Sequence, residues 1–261
     1  MSRLPTLLLT MISLACFPAE AATTCRAVSG ALTRPLIELY TSEGCDSCPP
    51  ADRWFSSQFD TRDGRGAATA LAFHVDYWDR LGWIDRFANA SYTERQYQAM
   101  RANGASFVFT PQVLLQGRDF AGWRNGATAA IEAVARKPAR AAIALNAVLG
   151  DRDVLAHADA RVDDAALARD AQLFVAYADS GLVSEVKAGE NRGVRLSHDH
   201  VVRALRLAGA PTVDGHAQAA VTLPKPAEAG TQPMLVAFVQ RVSTGEVLQS
   251  LALPLDACAL H

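Results

Sequence analysis

The feature that most constrains the fold is a Cys-x-x-Cys pair, Cys45 and Cys48, between an apolar run and two prolines. The run, residues 36–40, predicts a buried strand, and residues 48–59 predict a helix whose first turn holds the prolines, where no N–H donor is required. The start of a helix carries unpaired N–H groups and positive potential, which favours thiolate over thiol. Cys45 is therefore the candidate nucleophile, and Cys48 the candidate resolving thiol.

The length and charge of the chain limit the class of protein. Its 261 residues suffice for two domains, and its net charge of -2 does not favour a nucleic-acid surface. Residues 1–21 predict a signal peptide, with Arg3 before an apolar stretch and Ala19-Glu-Ala21 as a cleavage site. We therefore expect an exported protein, periplasmic or secreted, without a membrane span. Acylation of Cys16, as in a lipoprotein, is the alternative.

Export determines how the cysteines are interpreted. The predicted mature chain keeps Cys25, Cys45, Cys48 and Cys258, for which three pairings exist. Cys45 and Cys48 are close enough to pair, which leaves one cysteine near each end of the chain. A disulfide between Cys25 and Cys258 would contribute about 4–5 kcal/mol by loop closure. Two unpaired terminal thiols are the alternative.

The order of predicted elements divides the chain at about residue 138. Residues 34–138 predict strand, helix, strand, helix, strand–turn–strand and helix. Within them, a capping box of Ser91 and Glu94 opens the second helix, and a short strand at 120–123 follows the hairpin turn. Residues 139–258 contain short β-branched runs separated by glycine-bearing turns, a pattern typical of an antiparallel sandwich.

The chain resembles the thioredoxin-fold superfamily in two features. Its cysteine pair follows the first predicted strand, and Thr110-Pro111 stands before a predicted hairpin. The motifs around Cys45, His74-Val-Asp-Tyr-Trp-Asp79 and Gly189-Glu-Asn-Arg-Gly193 are similar to those of an exported bacterial family catalogued as domain of unknown function 1223. The resemblance implies an α/β thioredoxin-like domain followed by an all-β, sandwich-like domain. It also implies that Pro111, in a cis-proline element with Thr110, places the partner chain.

Glu38 lies in the first predicted strand, where a buried carboxylate is costly unless it is paired. Thioredoxin-like proteins often keep a buried carboxylate behind the cysteine pair as a proton acceptor, and the resemblance gives Glu38 this role. Strand alternation with Tyr40 could instead point Glu38 away from the pair, and the alternative role is an ion pair with an arginine such as Arg34 or Arg118.

Aromatic residues follow the second predicted strand. Tyr77, Trp78 and Trp83 are candidates for the wall of a substrate groove, with a cap on the core as the alternative.

Asp46 lies between the two cysteines, and its negative charge opposes thiolate formation at Cys45. We therefore predict that the redox potential of the cysteine pair is middling to reducing.

Histidines and further carboxylates suggest two weaker sites. His74, Asp76 and Asp79 either tune the thiols or bind a cation, although a lone histidine is more often a hydrogen-bonded core residue. His198 and His200 favour a polar turn over a metal site. Residues 189–193 lack the Lys-Ser/Thr of a phosphate loop. We therefore expect neither a cofactor nor a bound metal.

These observations predict thiol–disulfide exchange on the thiols or disulfides of other exported proteins. Cys45 would attack, Cys48 would resolve the mixed disulfide, and Pro111 would place the partner. The alternative is a non-enzymatic module that binds a ligand, a metal or a protein, in which the Cys45–Cys48 disulfide is structural.

Overall fold

The computed structural model describes residues 23–59, 68–256 and 258, so the predicted signal peptide, residues 1–21, lies outside the described residues. The protein is a strand-rich α/β fold with several sheets. The strands are β1 Thr24–Val28, β2 Leu36–Thr41, β3 Thr69–His74, β4 Gln112–Leu115, β5 Arg118–Asp119, β6 Ala142–Leu149, β7 Asp153–Arg161, β8 Ala171–Asp179, β9 Leu182–Glu185, β10 Arg195–His198, β11 Val201–Gly209, β12 His216–Pro224, β13 Met234–Arg241 and β14 Val247–Pro254. The α-helices are α1 Pro49–Gln58, α2 Ala90–Ala102, α3 Ala127–Ala135 and α4 Ala165–Ala168. No helix in these described ranges is long and apolar enough to cross a membrane.

The largest sheet has eight strands in the order β14-β13-β8-β11-β3-β2-β4-β5. β2 and β3 run parallel and every residue in them is buried, as expected of a parallel pair covered on both faces. One face packs Ile37 and Leu39 against Phe55 of α1 and Ile131 of α3. The opposite face packs Tyr40 and neighbouring side chains against α2. Successive residues of β2 therefore alternate between α1 and α2.

Strands from the second part of the chain extend this sheet. β11 pairs in parallel with β3, where Val201 is opposite Ala72, and the Ala72 N–H donates to the His200 carbonyl over 2.8 Å. β8, β13 and β14 continue the sheet with antiparallel pairings. The strands on the two sides of residue 138 thus share one sheet.

A second sheet, β1-β6-β7-β12, is antiparallel and packs on the part of the large sheet formed by the later strands. Ile143 and Leu145 from the smaller sheet lie in one core cluster with Leu173 and Val175 from the larger. Such a layer of interdigitated apolar side chains is the usual core of two stacked sheets. The Cys25–Cys258 disulfide joins β1 to the segment after β14.

Two local predictions were wrong. The N-cap of α2 is Asn89, not Ser91, because the Asn89 Oδ1 accepts both the N–H and the hydroxyl of Ser91. The predicted return strand at 120–123 is instead a 3-10 turn, and β5 begins after only two turn residues, Gln116 and Gly117. Both turn residues have positive φ, which matches the backbone twist of a tight hairpin and brings the return strand forward.

Candidate functional site

The cysteine pair lies in the turn between β2 and α1. Cys45 and Cys48 form a disulfide, and Cys48 is the N-cap residue of α1, whose first positions are proline. The Cys48 N–H donates to the Cys45 carbonyl over 3.3 Å. Both cysteines are 0% exposed, although Asp46 and Ser47 between them are exposed. The sequence located the pair at a helix start, but it did not reveal that the sulfur atoms are buried.

A segment from the second part of the chain covers this turn. Residues 189–193, which we call the cover segment, lie between β9 and β10. The Asn191 Nδ2 donates to the carbonyls of Glu43 and Cys45, each over 2.9 Å, and the Glu190 Oε2 accepts the N–H of Asp46 over 3.2 Å. The backbone on both sides of Cys45 is therefore hydrogen-bonded to the cover segment.

Trp78 connects the cysteine turn to Thr110 and Pro111. The indole Nε1 of Trp78 donates to the Thr110 Oγ1 over 2.8 Å, and the Thr110–Pro111 peptide bond is cis. At its other end, Trp78 packs so tightly on Gly44 that a Cβ atom there would lie 3.0 Å from the Trp78 Cβ. The structure thus brings the cysteine turn, Trp78 and the Thr110-Pro111 segment together.

The other two aromatic candidates have different surroundings. The Tyr77 hydroxyl donates to the Gln96 Oε1 over 3.2 Å, and burial raises the pKa of Tyr77 to about 12, so the side chain is neutral at pH 7. The Trp83 Nε1 donates to the Glu43 Oε2 over 2.7 Å, and its Cβ packs against Gly189. Trp83 therefore contacts the cover segment and supports the cysteine turn.

Buried histidine–carboxylate pairs underlie the turn. The His74 Nδ1 lies 2.7 Å from the Asp85 Oδ2, and the His198 Nε2 lies 3.2 Å from the Glu43 Oε1. The two imidazole rings are 5.0 Å apart between centroids, so the pairs form one cluster. The Asp85 Oδ2 also accepts the Glu43 N–H over 2.9 Å, which fixes the backbone two residues before Cys45.

Charge sets the protonation of the first pair. Burial alone would lower the pKa of His74, but the Asp85 carboxylate outweighs it and raises that pKa. Burial alone would raise the pKa of Asp85, but the His74 imidazolium lowers it. The two side chains therefore stabilise each other as a charged pair.

Asp52 is a buried carboxylate that the sequence analysis missed. It lies one turn after Cys48 in α1, and its N–H donates to the Cys48 carbonyl over 3.1 Å. Burial raises the pKa of Asp52, and nearby His198 and His74 oppose this rise. The spacing of four residues from Cys48 on a predicted helix was the available signal.

Glu38 does not lie with the cysteine pair, so the proton-acceptor role was wrong, whereas the alternative, an ion pair with an arginine, is confirmed. Its Oε1 accepts hydrogen bonds from the Arg95 Nε over 2.8 Å and the Arg95 Nη2 over 2.6 Å. The partner is neither Arg34 nor Arg118, because strand alternation turns Glu38 towards α2, whereas α1 covers the opposite face.

The suggested cation site is not assembled. The Asp76 Oδ1 accepts the Thr93 hydroxyl over 2.6 Å, and the Asp79 Oδ1 accepts the Asp85 N–H over 3.1 Å, so neither carboxylate lies with His74 as a ligand set. Within the described ranges, no group of three or more His, Cys, Asp or Glu side chains is arranged to hold a metal ion.

Fold and site together define a strand-rich α/β protein with a Cys-x-x-Cys disulfide at the start of a helix. The sequence model of one family, described as a protein of unknown function (DUF1223), matches residues 36–240, and the chain belongs to that family. No curated protein matches the sequence significantly.

Two solved structures are similar to this chain. A protein from Agrobacterium tumefaciens, determined in a structural genomics programme, has 27% identity and a TM-score of 0.61, over 86% of this chain and 96% of that chain. HBP35 of Porphyromonas gingivalis has 15% identity and a TM-score of 0.59, over 87% of this chain and 76% of that chain. At that identity, the second likeness concerns the fold alone.

Proposed function

We propose that this protein is an exported thiol–disulfide oxidoreductase whose residues 34–138 have a thioredoxin-like arrangement. The supporting order is β2, α1, β3, α2, β4, β5 and α3, with the cysteine pair at the start of α1. The strand-rich remainder, residues 139–258, is the all-β part of the proposal. The disulfide between Cys25 of β1 and Cys258 suits an oxidising compartment, which supports export.

The observation that carries the proposal is the link made by Trp78. It packs on Gly44, next to Cys45, and binds Thr110, next to Pro111. In this proposal, an extended partner chain would lie beside Pro111, with its disulfide close to the cysteine turn.

The proposed reaction starts from the reduced pair. The Cys45 thiolate attacks one sulfur of a partner disulfide, whose S–S bond breaks, and the other partner sulfur leaves as a thiolate that takes up a proton. The Cys48 thiol then loses its proton and attacks the Cys45 sulfur of the mixed disulfide. The partner leaves with two thiols, and Cys45–Cys48 becomes the disulfide seen in the structure. Reversal oxidises the partner instead.

Because Cys48 is fully buried, its proton needs an acceptor inside the protein. Asp52, one helical turn away and also buried, is the carboxylate we assign to this step in place of Glu38. Burial raises the pKa of Asp52, which makes it a stronger base than an exposed aspartate.

The test is a redox titration of the purified protein in glutathione buffers. Alkylation and mass spectrometry would report the fraction of Cys45–Cys48 that is oxidised. We expect a reversible midpoint between about -120 and -270 mV, the range of known oxidoreductases. A pair that stays oxidised below about -300 mV would contradict the proposal.

Burial of both cysteines favours a second candidate function. In it, the protein is a non-enzymatic binding module, and the disulfide only fixes the turn before α1. Resistance to reduction in the same titration would favour this module, since structural disulfides typically have potentials below about -300 mV.

A further inference from the structure

The burial of Cys45 conflicts with the exchange reaction unless the site opens. Cys45 is 0% exposed, whereas thiol–disulfide exchange needs a partner sulfur to approach the attacking sulfur directly. A part of the protein must therefore move before a partner disulfide reaches Cys45.

The cover segment is the part placed to do so. Asn191 is 6% exposed and uses both amide hydrogens on carbonyls that flank Gly44. Glu190 adds a hydrogen bond to Asp46 on the exposed side of the turn. These contacts join segments more than 140 residues apart in the sequence.

Besides the Asn191 and Glu190 hydrogen bonds, the packing of Gly189 on Trp83 attaches the cover segment to the rest of the protein. It is the tip of the β9–β10 hairpin, a two-stranded sheet that is separate from the two larger sheets. A two-stranded hairpin contributes little stability by itself. Arg86 holds the base of this hairpin, since its guanidinium donates to the Val183 carbonyl and the Ser184 hydroxyl. Lifting of the tip would therefore break the Asn191 and Glu190 hydrogen bonds and the contact of Gly189 with Trp83, while Arg86 holds the base.

A glycine stands at each end of the cover segment. Gly189 and Gly193 have φ angles of 72° and 84°, in the left-handed region that favours glycine. A Cβ atom at Gly193 would meet nothing within 4 Å, whereas one at Gly189 would lie 3.2 Å from the Trp83 Cβ, so of these two ends the Gly193 end has open space around it. Beside the hairpin, a cleft of about 480 Å³ separates α1 from β10.

We propose that the cover segment controls the access of partner disulfides to Cys45, and that Asn191 is the residue that holds it closed. The proposal rests on the exchange reaction proposed above. The closed form is the structure described, and exchange proceeds from a minor open form in which the two Asn191 hydrogen bonds are broken.

The experiment measures the alkylation rate of Cys45 in the reduced protein, peptide by peptide, by mass spectrometry. Iodoacetamide serves as the small probe, and a maleimide on a polyethylene glycol chain as the large one. Asn191→Asp keeps the size of the side chain but removes both donors. We expect alkylation of Cys45 to be about tenfold faster in this variant, and the gain to be larger for the large probe.

Asn103→Asp is the matched control. The Asn103 Nδ2 also donates to two carbonyls, those of Ala99 and Gly117, over 2.8 and 2.9 Å, but away from the cysteine pair. This variant should alkylate at the wild-type rate. Glu190→Ala removes a single contact at the exposed edge, and an increase of about twofold is expected even if Asn191→Asp fails to fold.

Three results would overturn the cover proposal: wild-type Cys45 reacting as fast as a cysteine in a short peptide, no acceleration in either cover variant, or equal acceleration by Asn103→Asp. Failure of the exchange reaction looks different, because it shows in the redox midpoint of the wild-type protein. Faster alkylation in the variants, together with a midpoint below about -300 mV, would retain the cover and reject the oxidoreductase.

Discussion

Removal of the Glu38 carboxylate should strongly destabilise the protein. Glu38 and Arg95 are 1% and 8% exposed and are joined by two short hydrogen bonds. The guanidinium also lies 5.1–5.5 Å from the centroids of three phenylalanine rings, so without Glu38 a cation remains in apolar surroundings. Loss of one partner of a buried pair costs about 3–5 kcal/mol, which we expect for Glu38→Ala.

Matched variants separate the charge from the packing. Replacement of both partners by methionine removes the pair without leaving a buried charge, and should cost less than Glu38→Ala alone. Glu94→Ala removes the carboxylate of an exposed pair with Arg101, in which both side chains are 56% exposed, and should change the stability by less than about 1 kcal/mol.

Urea unfolding, followed by circular dichroism with the disulfides intact, would measure these differences. The reasoning fails if Glu38→Ala changes the free energy of unfolding by less than about 1 kcal/mol, as an exposed pair would. It also fails if the double methionine variant loses as much free energy of unfolding as Glu38→Met and Arg95→Met lose when added together, since the two charges would then not be coupled.

Three further predictions concern stability. Asp52→Asn should raise the melting temperature at neutral pH, because burial raises the pKa of Asp52 and its charged form destabilises the fold. The contribution of the protonated form is complete below the unfolded pKa and is lost as pH rises through the folded pKa, so the gain from Asp52→Asn should shrink in acid. Cys258→Ser should lower the free energy of unfolding by about 2–5 kcal/mol through loss of its disulfide, as measured in urea without reductant. Gly117→Ala should lower it by at least about 1 kcal/mol in the same assay, because residue 117 has a φ of 75° and the added Cβ would collide with the Gly245 carbonyl.

The elements around the cysteine pair were predictable because local pattern determines them. β2 and α1 lie within two residues of their predicted positions, since an apolar run and proline at a helix start leave few alternatives. β10 and β11 were missed: their sequences mix polar and apolar residues, and their order in the sheets depends on pairing with distant strands. Pairing of that kind leaves no periodic signal in one sequence.

The site was predictable to a similar extent. Cys45 and Cys48 were identifiable from the motif, and Trp78 from its place after a buried strand. The sequence left two roles open for Glu38, because alternation along a strand does not tell which helix covers which face, and the structure turns Glu38 towards Arg95. Asn191 was not identifiable as a contact of Cys45, because the two residues are 146 positions apart and only the tertiary fold brings them together.

The parallel pairing of β11 with β3 limits how the protein can be divided. A fragment that ends near residue 138 would expose the edge of β3, a strand whose six residues are all buried in the whole protein. An apolar edge without its neighbour pairs readily with other chains, so such a fragment should aggregate. The cysteine-bearing half is therefore unsuited to transfer into another protein as an independent module, and any gene fusion should retain β11 and the strands beyond it.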